Sequence, residues 1–385
     1  MNSSPILLYL VTEDWYFLSH RLPMAIAAQR AGYKVHVITQ VDKGAAAIEA
    51  LGFGLHAMVW RRGSVNPFGF IFNILAVRRL YRDIDPKLVH HVGLQPTIVG
   101  SMAATGLRCT RLNALAGLGY VFTSTTAKAR LVRPILRALL QWVLSRPRAA
   151  VLVQNPDDRA AVQSLGIAPE KIFVIPGSGV DTEKLTPLAQ PAGVVTAAFV
   201  GRLLDDKGIR TLVEAHDILA RRGQPVGLLI AGNPDPANPA SIPLQEIASW
   251  GHRPGIELLG HVSDIREVWK AAHIAVLPSR REGLPKSLLE AAACGRPIVA
   301  TDVPGCREIA RPNINAILVP TDNAEALAGA IARLANDTGL RARFGAAGLE
   351  LVEKEFSAAR IGDQVVALYG SLIAANTECV PKAES

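Results

Sequence analysis

Short apolar runs alternate with helix-forming stretches along almost the whole chain, and this rhythm restricts the fold more than any other feature. In the first half the runs are residues 6–11, 34–40, 88–92, 149–154 and 171–175. In the second half they are 196–201, 226–231, 256–259, 273–277, 297–301 and 316–319. Most are nearly all apolar, as strands covered on both faces of a parallel sheet should be. Helical stretches such as 22–31, 208–222 and 324–334 lie between them. Repeated strand–helix–strand units wind a parallel sheet with helices on both faces. The rhythm restarts after residues 185–195, a stretch broken by Pro and Gly. A chain of 385 residues suits two domains of ordinary size. The expected class is α/β: two doubly wound, Rossmann-like parallel-sheet domains facing a cleft. Their expected limits are 1–190 and 191–356, with 357–385 forming a last helix and tail.

Charge is divided unequally between the halves. Residues 1–190 carry 21 Lys/Arg against 11 Asp/Glu, and residues 191–385 carry 20 against 22. Between Lys43 and Arg148 there are 15 basic residues and 3 acidic ones. A basic first half calls for an anionic partner there. Four cysteines, Cys109, Cys294, Cys306 and Cys379, are scattered without metal-ligand spacing, which suits free thiols in a reducing cytosol. The start of the chain lacks a basic leader and reads as a first strand. The longest apolar run, 67–77, contains Asn73 and is too short to span a bilayer. No G-x-G-x-x-G follows the first strand, and Gly117-Leu-Gly119 is too short for a dinucleotide fingerprint, so no nicotinamide cofactor is expected. No metal site is expected.

The richest segment runs from Glu282 through Gly283, Leu284, Pro285, Lys286, Ser287 and Leu288 to Glu290 and on to Thr301. Glu282 sits beside Gly283 and Pro285 and belongs to a loop. Glu290 sits in an Ala/Leu-rich run that should be helical. A helix starting near Pro285 turns its unpaired N–H groups toward that loop, and such an end attracts anions. A buried Glu among Leu288, Leu289 and Ala291 needs a partner or a ligand. Arg202 and Lys207 follow the run ending at Gly201, at a strand's C-terminal end, where open parallel sheets bind ligands. Surface ion pairs are the other reading: Glu282 with Arg280 or Arg281, and Arg202 and Lys207 with Asp205 or Asp206.

This segment resembles the E-x7-E donor motif of the retaining glycosyltransferases of family 4. Gly201-Arg202-Leu203 with Lys207-Gly208 is similar to that family's phosphate clamp. Ile230–Gly232, Leu259–Asp264 and Ala275–Ser279 fall in its order and spacing. The resemblance is close over about residues 195–355 and loose before that. It implies a GT-B type fold, with a nucleotide diphosphate sugar in the second domain and the acceptor in the first. It further implies that Glu290 takes the ribose and Glu282 the hydroxyls of the transferred sugar. Gly283 and Leu284 would offer amides to the sugar, and Ser287 and Leu288 amides to phosphate. Arg202 and Lys207 would neutralise the diphosphate in place of a metal ion.

The loop after the first strand carries Trp15, Tyr16 and Phe17 where many family members have a glycine pair. His20 there either meets acceptor or phosphate or packs against its helix. The family's catalytic histidine has no counterpart in 112–120, and His90 and His91 read mainly as strand residues.

Residues 127–148 place Arg130, Arg133, Arg137 and Gln141 on one helical face and a Leu/Ile/Val stripe on the other, with Pro134 expected in the first turn and Trp142 at a headgroup boundary. This is either a core-packing helix or one lying on an anionic bilayer. Residues 66–82, with Phe68, Phe70, Phe72, Arg78, Arg79 and Arg82, add to the second reading.

The expected function is transfer of a hexose or N-acetylhexosamine, with UDP as carrier, to a glycan or polyprenyl-diphosphate-linked acceptor in cell-surface polysaccharide or lipopolysaccharide synthesis. The expected location is cytoplasmic, at the inner face of the cell membrane, with no nucleic-acid partner. The alternatives are an epimerase or phosphorylase on the same fold, or a non-catalytic assembly subunit.

Overall fold

The computed structural model describes residues 4–60, 67–115, 127–236 and 238–378. They form two compact units, one made of residues 1–178 with 358–385 and the other of 179–357.

In the first unit seven strands form one parallel sheet. They are β1 (Ile6–Glu13), β2 (Lys34–Gln40), β3 (Gly54–Ala57), β4 (Leu88–Val92), β5 (Thr110–Ala114), β6 (Ala149–Val153) and β7 (Ile172–Val174), in the order β3-β2-β1-β4-β5-β6-β7. β1 pairs with both β2 and β4, so the winding reverses direction there. The last helix, Ala358–Glu378, packs in this unit: Ile361, Val365, Leu368 and Tyr369 join the core around Leu7, Tyr9 and Met24. Tyr369 fixes it further. Its hydroxyl lies 2.8 Å from that of Tyr9 and 2.7 Å from His90 Nδ1.

The second unit repeats the plan. Six strands, β8 (Thr196–Val200), β9 (Gly227–Ala231), β10 (Ile256–Gly260), β11 (Ile274–Leu277), β12 (Ile298–Thr301) and β13 (Ala316–Val319), order as β10-β9-β8-β11-β12-β13. Its direction reverses between β8 and β11. Leu185 and Leu188 pack against its core.

The βαβ rhythm located eleven of these strands. β3 and β5 were not among them, for different reasons. β3 is a four-residue edge strand with little apolar signal. β5 reads Thr-Arg-Leu-Asn-Ala, so three of its five residues are polar although the strand is buried throughout. Asn113 survives there because its partners surround it: His91 Nδ1 at 2.8 Å, Ser101 Oγ at 3.1 Å and the carbonyl of Ala150 at 3.1 Å. His90 and His91 are fully buried in β4. His91 also meets Tyr81 Oη at 2.9 Å. Pro134 corrects an expectation: it lies inside the helix Ala127–Leu144, two turns from its start.

Candidate active site

The candidate site of the second unit grows from the C-terminal ends of β8, β11 and β12, at the point where the strand order reverses. Doubly wound sheets open a ligand crevice there, because the connections leave in opposite directions.

β8 delivers Gly201 and Arg202, and a 3-10 turn, Asp205–Lys207, follows. The turn closes at Gly208, whose φ is +67°. A Cβ at this position would stand 2.0 Å from the carbonyl oxygen of Pro278, just past β11. Only glycine allows both the left-handed backbone and that approach. The seating carries Lys207 to the loop after β11, where its Nζ lies 2.5 Å from Glu282 Oε1. Ser279 Oγ donates to the same oxygen at 2.7 Å. Thr301, at the end of β12, donates to the carbonyl of Ser279 and so ties the loop to the next strand. The loop is held from the other side by Gly305, where a Cβ would press to 2.4 Å on the carbonyl of Gly283 and 2.6 Å on that of Glu282.

An outer set of ion pairs fastens the two loops together. Arg280 bridges Asp205 at 2.5 Å and Asp322 at 2.8 Å. Arg281 reaches Asp206 at 2.7 Å, and Arg210 joins Asp205 to Glu246. The surface ion pairs considered from the sequence are therefore redistributed. Arg280 and Arg281 take Asp205 and Asp206, Lys207 takes Glu282, and Arg202 takes Asp235 at 2.7 Å.

Pro285 caps the helix Lys286–Ala293 with an extended backbone, and no side chain caps it. The N–H of Leu288 already donates to the carbonyl of Pro285 at 3.1 Å. The N–H groups of Lys286 and Ser287 precede the first helical acceptor, as in any first turn. Leu288 and Leu289 face the core. Glu290, one turn along, is 9% exposed, with Lys286 Nζ 3.3 Å from its carboxylate. Burial pushes its pKa above the usual carboxylate range, and Lys286 opposes that rise. Gly283 and Leu284 are half-buried between the two carboxylates in sequence.

The arrangement thus joins Lys207, Ser279 and Glu282 by direct contacts and places Gly283, Leu284, Ser287, Leu288 and Glu290 on the segment that continues from them. Arg202 belongs to the same strand-end loop as Lys207 but is turned to Asp235. Ser279, Thr301 and Gly305 were not singled out from the sequence as site residues. Their signal was available: each closes or follows an apolar strand at the edge where ligands bind.

In the first unit, His20 ends the helix Asp14–His20. Its ring stacks on Tyr16 at 4.3 Å between centroids, and its Nδ1 lies 2.6 Å from Ser19 Oγ. Residues 117–120 lie outside the described residues.

The two helices considered for a membrane surface, Pro67–Ile84 and Ala127–Leu144, both pack on the helix Leu94–Ala103. Phe72 is 71% exposed, with Ile71 and Leu75 also outward, and Ile135 (69%) and Trp142 stand out on the second helix. Phe70 is half-buried and packs against the core, and Arg78 donates to the carbonyls of Ala103 and Thr105. These two are structural, against expectation. Arg133 is half-buried, and Arg137 is exposed and donates to the carbonyl of Ser164 at 3.0 Å. The side chains of Arg130 and Phe68 lie outside the described residues. Among the described residues no helix is long and apolar enough to cross a membrane.

Comparison with known proteins bears on both units. Residues 195–337 match the family profile described as Glycosyl transferases group 1, and residues 6–155 match that described as Glycosyl transferase 4-like. The chain is 26% identical over 347 residues to the N,N'-diacetylbacillosaminyl-diphospho-undecaprenol alpha-1,3-N-acetylgalactosaminyltransferase of Campylobacter jejuni, covering 84% of this chain and 90% of that one. It is 25% identical over 280 residues to the UDP-Gal:alpha-D-GlcNAc-diphosphoundecaprenol alpha-1,3-galactosyltransferase of Escherichia coli, covering 69% and 70%. Among solved structures, sucrose-phosphate synthase from Thermosynechococcus elongatus superposes with a TM-score of 0.80 at 21% identity, covering 96% of this chain and 100% of that one. Two parallel Rossmann-like sheets, a GT-B architecture, and family profiles matched in both units together make this chain a glycosyltransferase of the family 4 type.

Proposed function

We propose that the protein transfers a hexose or N-acetylhexosamine, with retention, from a UDP-linked donor to a polyprenyl-diphosphate-linked glycan during cell-surface polysaccharide synthesis, lipopolysaccharide included. The observation that carries this reading is the Lys207–Glu282–Ser279 contact beside the start of the helix that bears Glu290. A sugar nucleotide needs a cation for its diphosphate, acceptors for sugar hydroxyls and an acceptor for ribose, and these residues offer all three.

In this reading Glu290 accepts the ribose hydroxyls. Lys207 and Arg202 balance the charge that grows on the diphosphate as the anomeric carbon–oxygen bond breaks. The electron pair of that bond stays on the leaving phosphate oxygen. That oxygen takes the proton of the acceptor hydroxyl as the acceptor oxygen bonds to the anomeric carbon from the same face. Glu282 and the amides of Gly283 and Leu284 orient the sugar meanwhile. No side chain is required as a base.

The acceptor class rests on the two relatives, whose names specify diphospho-undecaprenol-linked acceptors and alpha-1,3 products. Were this chain to form an α-linked product from an α-linked UDP-sugar, the transfer would proceed with retention. For a lipid-linked acceptor we assign the exposed Ile71, Phe72, Leu75, Ile135 and Trp142, with Arg133, Arg137 and the undescribed side chain of Arg130, to an anionic membrane surface on the cytoplasmic side. His20 is the first-unit residue assigned to the acceptor or its phosphate.

The test is release of UDP from UDP-sugars with and without a polyprenyl-diphosphate-linked glycan. Release only with acceptor is the expected result. Release without acceptor, or epimerised donor, would favour the other chemistries this fold supports.

A further inference from the structure

The edge of the first sheet where β5 and β6 begin carries a group of arginines with no carboxylate ion-paired to them among the described residues. It lies opposite the C-terminal strand ends, the edge at which doubly wound sheets bind their substrates. Arg111, in β5, is 6% exposed. One Nη donates to the carbonyl of Pro147, and its Nε is buried with no acceptor. The turn Arg146-Pro147-Arg148 covers it. Arg148 donates to the carbonyl of Arg108 at 3.2 Å, and the Arg146 guanidinium lies 4.3 Å from the ring centre of Trp142, with its own Nε buried and unpaired. Among the described residues none of Arg108, Arg111, Arg146 and Arg148 has an ion pair.

Arg108, alone of the four, lines a cavity of about 270 Å³ together with Tyr81, Arg82, Asp85, Gly106 and Cys109 among others. Asp85 is its single carboxylate, and it too makes no ion pair with these arginines. Burial raises the pKa of Cys109 and of Tyr81, so neither ionises to offset Arg111. Burial lowers the Arg111 pKa, and Arg146 and Arg148 add repulsion in the same direction. Guanidinium remains charged all the same. Two non-glycine residues at this edge, Asp85 (φ 48°) and Arg148 (φ 59°), hold left-handed backbone, a conformation that persists where the surroundings enforce it.

A buried cation without a counterion is costly, and bidentate oxyanions are the ligands guanidinium groups fit best. We infer that the Arg108–Arg111–Arg146–Arg148 group and the adjoining cavity form a second anion site, separate from the donor site, for a phosphate-class oxyanion. The shared chemistry is a phosphate mono- or diester, either free or in a lipid headgroup.

The experiment compares the full chain with the Arg146→Gln/Arg148→Gln variant, which leaves the buried Arg111 and the donor residues intact. Both are melted with inorganic phosphate against chloride of equal ionic strength, and both are sedimented with phosphatidylglycerol and phosphatidylcholine vesicles. Without ligand the variant should melt as high as the parent or higher, because repulsion on Arg111 is removed; this also verifies that it folds. A saturable rise of about 2–4 °C with phosphate in the parent, absent from the variant, supports a free anion. Loss of phosphatidylglycerol binding in the variant, without a phosphate response in the parent, supports a headgroup. Equal responses of parent and variant in both assays would overturn the inference.

Discussion

At the scale of the residue, two carboxylates with the same side-chain chemistry occupy different environments. Glu282 is ion-paired with Lys207 and accepts from Ser279, whereas Glu290 is buried and ion-paired with Lys286. Lys207→Ala should lower kcat of acceptor-dependent UDP release about 10²- to 10³-fold, the usual cost of one electrostatic stabiliser, at a temperature where melting curves show the variant folded. Unaltered turnover would remove Lys207 from the chemistry. Glu290 gives a prediction about pH. Its folded pKa lies above the unfolded value, so the native state holds the proton more tightly. Below the unfolded pKa, about 4.3, both states are neutral and burial carries no charge penalty. As pH rises through the folded pKa the buried carboxylate ionises and stability falls. Glu290→Gln should therefore match the parent in acid, exceed it at pH 7 and bind donor more weakly, which thermal melts across pH will reveal. Equal differences at every pH would show that the carboxylate is not strained by burial. These residues were legible in the sequence because their spacing, neighbours and helix start were. Their actual ion partners were not, since Arg280, Arg281, Asp205 and Asp206 offered several equivalent pairings until the backbone fixed one.

At the scale of the element, the site depends on how closely loops approach strand ends. Gly208 is the clearest case, for it combines a positive φ with contact on the Pro278 carbonyl. Gly208→Ala should cost upwards of about 1–3 kcal/mol through backbone strain alone and should also displace Lys207 from Glu282. Denaturant melts together with turnover test this, and a variant with both unchanged would contradict the seating described. Strands proved legible where both faces are apolar, as in β6 and β9. They were missed where polar residues are satisfied by distant partners. Asn113 in β5 needs His91, Ser101 and the Ala150 carbonyl, none of them adjacent in sequence. Pro134 misled in another way: a proline was expected in a first turn, but this helix tolerates it two turns in, on an exposed stretch beside Ile135.

At the scale of the whole molecule, each unit repeats one winding plan, and each carries its own charge. The basic half with outward Ile71, Phe72, Leu75, Ile135 and Trp142 suits an anionic surface, where each basic residue contributes about 1 kcal/mol. Arg133→Glu/Arg137→Glu should strongly weaken salt-sensitive sedimentation with phosphatidylglycerol vesicles while leaving donor binding intact. Undiminished sedimentation would remove these helices from the membrane surface. The overall class was legible because rhythm and motif order extend over hundreds of residues. The membrane face was only half legible, because periodicity separates polar from apolar faces without saying which apolar residues the core takes: Phe70 is packed and Phe72 is not.

The central claim is that the second unit grips a sugar nucleotide around Glu290. Calorimetric titration of UDP-sugars into the parent and into Glu290→Ala examines it most directly. The account predicts saturable binding to the parent and roughly ten- to a hundredfold weaker binding to the folded variant, the cost of about 1–3 kcal/mol for losing a buried hydrogen-bond acceptor. Equal affinity of parent and variant for every UDP-sugar would contradict it.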